Sequence, residues 1–90
     1  MQNNLLISNS LVRIGKAVHS LDNKALTVIG YHHDNSNRPT IEIAHHPICE
    51  KMIANGSAVY YMHIGVHRFG QFELEGCRVV WKELDLSRFH

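Results

Sequence analysis

The chain has 90 residues, of which 44% are hydrophobic and 19% charged, and nine Lys+Arg against eight Asp+Glu give a formal charge of +1. That length supports one small core and leaves little room for a deep substrate cavity. It also carries too much hydrophobic residue and too little net charge for a disordered segment, and too little positive charge for a strongly basic nucleic-acid wrapper.

Eight histidines, several in adjacent pairs, are the outlier in composition. Their protonation would add eight positive charges as pH falls through the imidazole range, yet solvated histidines titrate without consequence, so enrichment alone assigns no role. A single domain over residues 1–90 is expected, with residues 1–4 and 86–90 as loose ends.

Residues 10–21 admit two readings. With period two, Val12, Ile14 and Val18 share a face; with the helical period, Leu11, Ile14, Val18 and Leu21 do, and Ser10 is placed to cap the helix. Gly15 weakens a helix by up to about 1 kcal/mol relative to Ala, and the valines and isoleucine favour a strand. The balance falls to a strand.

Residues 24–33, KALTVIGYHH, read as a second strand, and the polar run DNSNRP at 34–39 as a loop. Alternation resumes over 40–45, with Ile41 and Ile43 inward, which makes a hairpin. Residues 47–55, PICEKMIAN, read as a short helix. Pro47 suits its first turn, Glu50 its positive end, and Gly56 a left-handed stop. Ile48, Met52 and Ile53 form its narrow apolar face.

Residues 58–69 give the strongest strand signal. One parity carries Ala58, Tyr60, Met62, Ile64 and Val66; the other carries Val59, Tyr61, His63, Gly65, His67 and Phe69. A hairpin turn at Gly70 leads into 71–84, where the phase shifts at Gly76 as at a bulge and Cys77, Val79 and Trp81 continue the apolar face.

The expected fold is α+β and rich in β structure: an antiparallel sheet or small five-stranded barrel, with one short helix between the third and fourth strands. In order of elements alone this is similar to barrels of the oligonucleotide-binding type, a likeness that transfers no function. If residues 10–21 are helical, the alternative is an N-terminal helix plus a four-stranded antiparallel sheet. An open sheet leaves edges to cover, and a homodimer is one economical solution.

No catalytic or metal constellation emerges. In His45-His46-x-x-Cys49, adjacent histidines on a strand point apart, so at most one joins Cys49, and His32 and His33 fall about 15 Å from His45 by hairpin register. His63 and His67 lie about 13 Å apart along a strand, too far to chelate together. Cys49 and Cys77 sit among apolar residues and read as buried free thiols. Neither is framed as a nucleophile, the carboxylates are scattered, and no glycine cluster forms a phosphate loop. No enzyme activity, metal or cofactor is expected. The N-terminus lacks the features of a signal peptide, and no apolar run approaches the roughly 20 residues that span a bilayer, so the cytoplasm is the expected compartment.

What remains is a sheet face. Tyr61, His63, His67 and Phe69, joined by Arg68 and extended by Tyr31 and His33, make a stripe of stacking and hydrogen-bonding side chains. Such a stripe suits a protein partner, or a second copy of the chain. The leading expectation is a small non-catalytic protein-binding or regulatory module, accessory or inhibitory, and homodimeric. The alternative is a single-stranded nucleic-acid binder, for which Arg13, Lys16, Lys24, Arg38 and Arg68 would form a dispersed basic track.

Overall fold

The computed structural model describes the backbone of residues 2–32 and 38–85, and side chains from Leu11 onward. In chain order the elements are helix α1 (Gln2–Asn23), β1 (Val28–His32), β2 (Thr40–Ile43), helix α2 (Pro47–Asn55), β3 (Val59–Ile64), β4 (His67–Leu74) and β5 (Cys77–Leu84). The five strands form one mixed sheet in the order β1-β2-β5-β4-β3. β2 runs parallel to β5 and every other pair is antiparallel.

Residues 10–21 are therefore helical, not a strand, and the sheet is open with β1 and β3 at its edges, not a barrel. Burial explains the choice. Ala17 and Leu21 are completely buried and Ile14 packs beside them, whereas Val12, which a strand would have turned inward with Ile14, is 57% exposed. Leu11, one turn ahead of Ile14 on the same stripe, is equally exposed, so the helix continues past the sheet it packs on.

The end of α1 carries no glycine signal. Ala25 takes the left-handed conformation instead (φ 61°), with Leu26 N–H donating to Leu21 O and Ala25 N–H to Asp22 O, both at 3.0 Å. This is a Schellman closure, sealed by contact between the buried Leu26 and Leu21. α2 follows its sequence signals. The His46 ring caps it by accepting from Ile48 N–H at Nδ1 (3.0 Å), Pro47 opens it, and Gly56 (φ 84°) closes it.

The span 58–84 holds three strands where the alternation suggests two. The β3–β4 turn falls at Gly65-Val66 and the β4–β5 turn at Glu75-Gly76; Gly65, Glu75 and Gly76 all have positive φ, as tight hairpins require. Gly76 is thus a turn residue, not a bulge. Gly70 is no turn at all: it lies inside β4, opposite Trp81, and a Cβ there would fall within the Trp81 ring. The real bulge is in β3, where Tyr60 pairs with Gly70 but Met62 pairs with Phe69, leaving Tyr61 extra.

The core cluster gathers Ala17 and Leu21 from α1 and Cys49 from α2 over Ile41, Ile43, Phe72, Cys77, Val79 and Trp81. Both helices lie on one face of the sheet, and the described residues place no element over the other. Val66 sits in the turn and is exposed. Cys49 and Cys77 are buried free thiols whose pKa values burial pushes up.

Two outcomes follow for chemical denaturation. Gly70→Ala should destabilise the domain by about 2–3 kcal/mol, because ring and backbone must both shift. Ala25→Gly should stabilise it by about 0.5–1 kcal/mol by removing the Cβ from a left-handed position.

Candidate functional site

The parity of β5 carries a polar group into the protein. Cys77, Val79 and Trp81 face the core, and the next two positions of that parity are Glu83 and Asp85, both buried. Register aligns His63 on β3, Arg68 on β4 and Glu83 on β5 across one row. His45, ahead of α2, closes the end of the row.

Glu83 is the hub. Its Oε1 accepts from Trp81 Nε1 (2.8 Å) and Tyr60 Oη (3.1 Å), and its Oε2 from Arg68 Nε (3.2 Å) and Nη2 (3.1 Å). Arg68 also stacks over the Tyr60 ring at 4.3 Å. Asp85 Oδ2 lies 3.1 Å from His63 Nε2, and the Asp85 backbone N–H donates to Val66 O at 2.7 Å. Burial pushes the Glu83 carboxyl up, but hydrogen bonds from Trp81, Arg68 and Tyr60 outweigh it and hold the group below its ordinary value. Tyr60 is raised by burial and by the same carboxylate.

Two open clefts flank Arg68. One, of about 460 Å³, is lined by His45, Glu50, Lys82, Glu83 and Asp85, with Leu84 at its rim. The other, of about 410 Å³, is lined by Tyr60, Tyr61, Met62, His63 and Asp85. Neither is lined by a serine, threonine or cysteine.

His45, Glu50 and Glu83 bring donor atoms within 4.8 Å of one another, the one such grouping among the described residues. Glu83 is a poor ligand nonetheless. A carboxylate offers about four acceptor positions, and Trp81, Tyr60 and Arg68 already use them. A cation there would leave buried donors unpaired. The His45-His46-x-x-Cys49 cluster is dispersed: His46 caps α2, Cys49 is in the core, and His45 turns to the carboxylates.

The uncovered face of the sheet is of different character. The bulge at Tyr61 reverses the parity of β3, so Tyr61, Met62 and Ile64 stand outward with Val59, beside His67 and Phe69 of β4 and Val80, Lys82 and Leu84 of β5. Tyr61 packs on Phe69 (6.2 Å between centroids), and Arg78 lies 4.5 Å over the Tyr61 ring. Val59, Ile64 and Leu84 are each about half exposed, at 55%, 59% and 49%.

The stripe drawn from alternation is therefore divided. Tyr61, His67 and Phe69 share the outer face; His63 and Arg68 point to the buried carboxylates instead. Tyr31 is exposed on β1, at the far edge of the sheet, and its pairing with Ile41 puts it on the helix side. His33 lies outside the described residues. Glu83 and Asp85 escaped the sequence reading, although their position on the parity of a buried tryptophan was the available signal.

A family model described as "Uncharacterised protein" matches residues 1–84. The chain belongs to that family. No curated protein and no solved structure matches it. No helix among the described residues is long and apolar enough to cross a membrane.

The buried carboxylate dictates a pH response. A group with a depressed folded pKa contributes stability above its unfolded value and loses that contribution as pH falls through the folded value. Stability should thus decline as pH drops through and below the ordinary carboxylate range, and Glu83→Gln should flatten that decline. At neutral pH, Glu83→Ala should cost about 2–3 kcal/mol, below the full penalty for a broken buried pair because Arg68 is partly solvated. Urea unfolding across pH reads both effects.

Proposed function

We propose that the chain is a small, non-catalytic protein-binding module that works through the outer face of its sheet. The observation that carries this reading is the one-sided architecture. Both helices cover one face, while the other presents Val59, Tyr61, Met62, Ile64, Phe69 and Leu84 with no helix or strand over them among the described residues. Contiguous apolar surface rimmed by polar groups is the mark of an interaction site. Tyrosine and phenylalanine with arginine beside them are the residue types that anchor such contacts.

The polar cluster supports the same reading by being self-satisfied. Its hub, Glu83, accepts four hydrogen bonds from within the protein, and no serine, threonine or cysteine lines its clefts. Nucleic acid is the second reading, favoured by Arg78 and Lys82 next to the aromatic rings. Against it, the face of Tyr61 that a base would stack on is occupied by Arg78. A regulatory role, accessory or inhibitory, is part of the proposal, as is the cytoplasm, which suits two free, buried thiols.

A photoreactive phenylalanine analogue in place of Met62 should yield covalent adducts with polypeptide upon irradiation in cells, and the same analogue in place of Lys51 on α2 should yield none. Adding Tyr61→Ala and Phe69→Ala should lower the Met62 adducts by about tenfold or more, the loss of roughly one hot-spot contact. Adducts equal at both positions, or absent from Met62, would contradict the proposal.

A further inference from the structure

We propose that the partner of the outer face is a second copy of the chain, stacked sheet on sheet across a two-fold axis running along β4. This rests on the protein-binding reading and names its partner. The argument comes from register. Three rows cross the outer face: Ile64, His67 and Leu84; Met62, Phe69 and Lys82; Val59, Gln71 and Val80. A two-fold axis along the middle strand turns each row end for end upon itself. Ile64 then meets Leu84 of the partner subunit, Val59 meets Val80 of the partner subunit, and Phe69 meets Phe69 of the partner subunit. Met62 meets the aliphatic stem of Lys82 of the partner subunit.

Each outer row ends in an apolar residue on both sides, which is the self-complementarity an isologous interface requires. Aligned packing of this kind is how sheets stack, about 10 Å apart, and a slight tilt of the axis from β4 accommodates the crossing of up to about 30° that twisted sheets adopt. Formal charge on this face is confined to its β5 side and to one end: Lys82 and Arg78 stand on β5 and Glu73, ion-paired with Arg38, on β4, while β3 bears no formally charged residue apart from its histidine.

The bulge gives a second line of support. An irregular strand is poorly suited to edge-to-edge pairing, and what the bulge does is turn both Tyr61 and Met62 onto the outer face. β3 therefore serves face contact and not edge addition. Area sets the expected strength. Three strands about 4.8 Å apart, β3 of six residues and β4 and β5 of eight, present roughly 350 Å² in projection per copy. Side-chain relief raises the pair to about 1,000 Å² of accessible surface, the range of weak and reversible complexes. The dimer is expected to have a dissociation constant in the micromolar range.

Sedimentation equilibrium on the purified full chain, from about 1 to about 500 µM, tests this. The wild type should pass from monomer to dimer with rising concentration. Leu84→Lys and Ile64→Glu each place a charge opposite an apolar partner, and each should weaken dimerisation by about tenfold or more. The double variant sets Glu against Lys across both symmetry-related contacts, so it should recover dimerisation to within a few-fold of wild type. Within one copy the two positions are separated by β4, so a purely structural effect would not be rescued. Both residues are half exposed, and circular dichroism confirms that each variant is folded.

A wild type that stays monomeric to the highest concentration, or a double variant no tighter than the singles, overturns the proposal. If the wild type is monomeric while Met62 still forms adducts with another polypeptide, the self-partner is wrong and the protein-binding reading stands. If both are negative, both fall.

Discussion

The indole of Trp81 is the constraint from which the rest of the sheet follows. A fully buried tryptophan needs space for its ring and an acceptor for its N–H. Gly70 supplies the space, because β4 has no side chain where the ring lies. Tyr60 and Phe72 close in at ring separations of 6.4 and 6.3 Å. Glu83, two residues along the same strand, supplies the acceptor. A carboxylate at that depth in turn needs a cation, which Arg68 provides, and the guanidinium lies on Tyr60. The four groups form a ring of mutual requirement, so losing any one exposes a cost at its neighbours.

That arrangement accounts in structural terms for a cluster with the look of an active site. Histidine, arginine and two carboxylates converge at one end of the sheet beside open clefts, a combination that often signals chemistry. Here the donors and acceptors saturate each other, and the depressed carboxylate is held by bonds to the core and not poised toward solvent. The surface left unsatisfied is apolar and lies on the opposite side of the sheet. The two faces of β3, β4 and β5 are thus of opposite character, a self-satisfied polar cluster on one and uncovered apolar side chains on the other.

How much of this was legible in the sequence varies by element. α2 was readable because each signal was local: a proline at the start, an acid in the first turn, a glycine at the end. α1 was not, because the side chains that decide it are Ala17 and Leu21, whose burial is a tertiary fact, and because Ala25 occupies a position where a glycine would have announced the helix end. The strands of the second half were seen as β structure but divided wrongly. Gly70 was taken for punctuation when its purpose is to seat Trp81, while Gly65 was absorbed into a strand and Gly76 into a bulge. The strand total of five was reached by a different route from the one expected. For the site, the bulge at Tyr61 was decisive. One extra residue, invisible to a strict two-residue period, sends His63 to the carboxylates and leaves Tyr61 with Phe69.

The position of β5 has a consequence for how the molecule is made. β5 is the centre of the sheet and the last of its strands in chain order, joining the β1–β2 hairpin on one side to the β3–β4 hairpin on the other. The parallel pairing of β2 with β5 spans some forty residues, as in Thr40 with Arg78, and loops of that length close slowly. During synthesis, neither hairpin has a neighbour on its inner edge until residues 77–84 have cleared the ribosomal tunnel. Until then the nascent chain carries two half-sheets with open edges and an unsheltered helix stripe. Its vulnerability to misassociation therefore falls when a single eight-residue segment arrives, which leaves only β1 and β3 as edges.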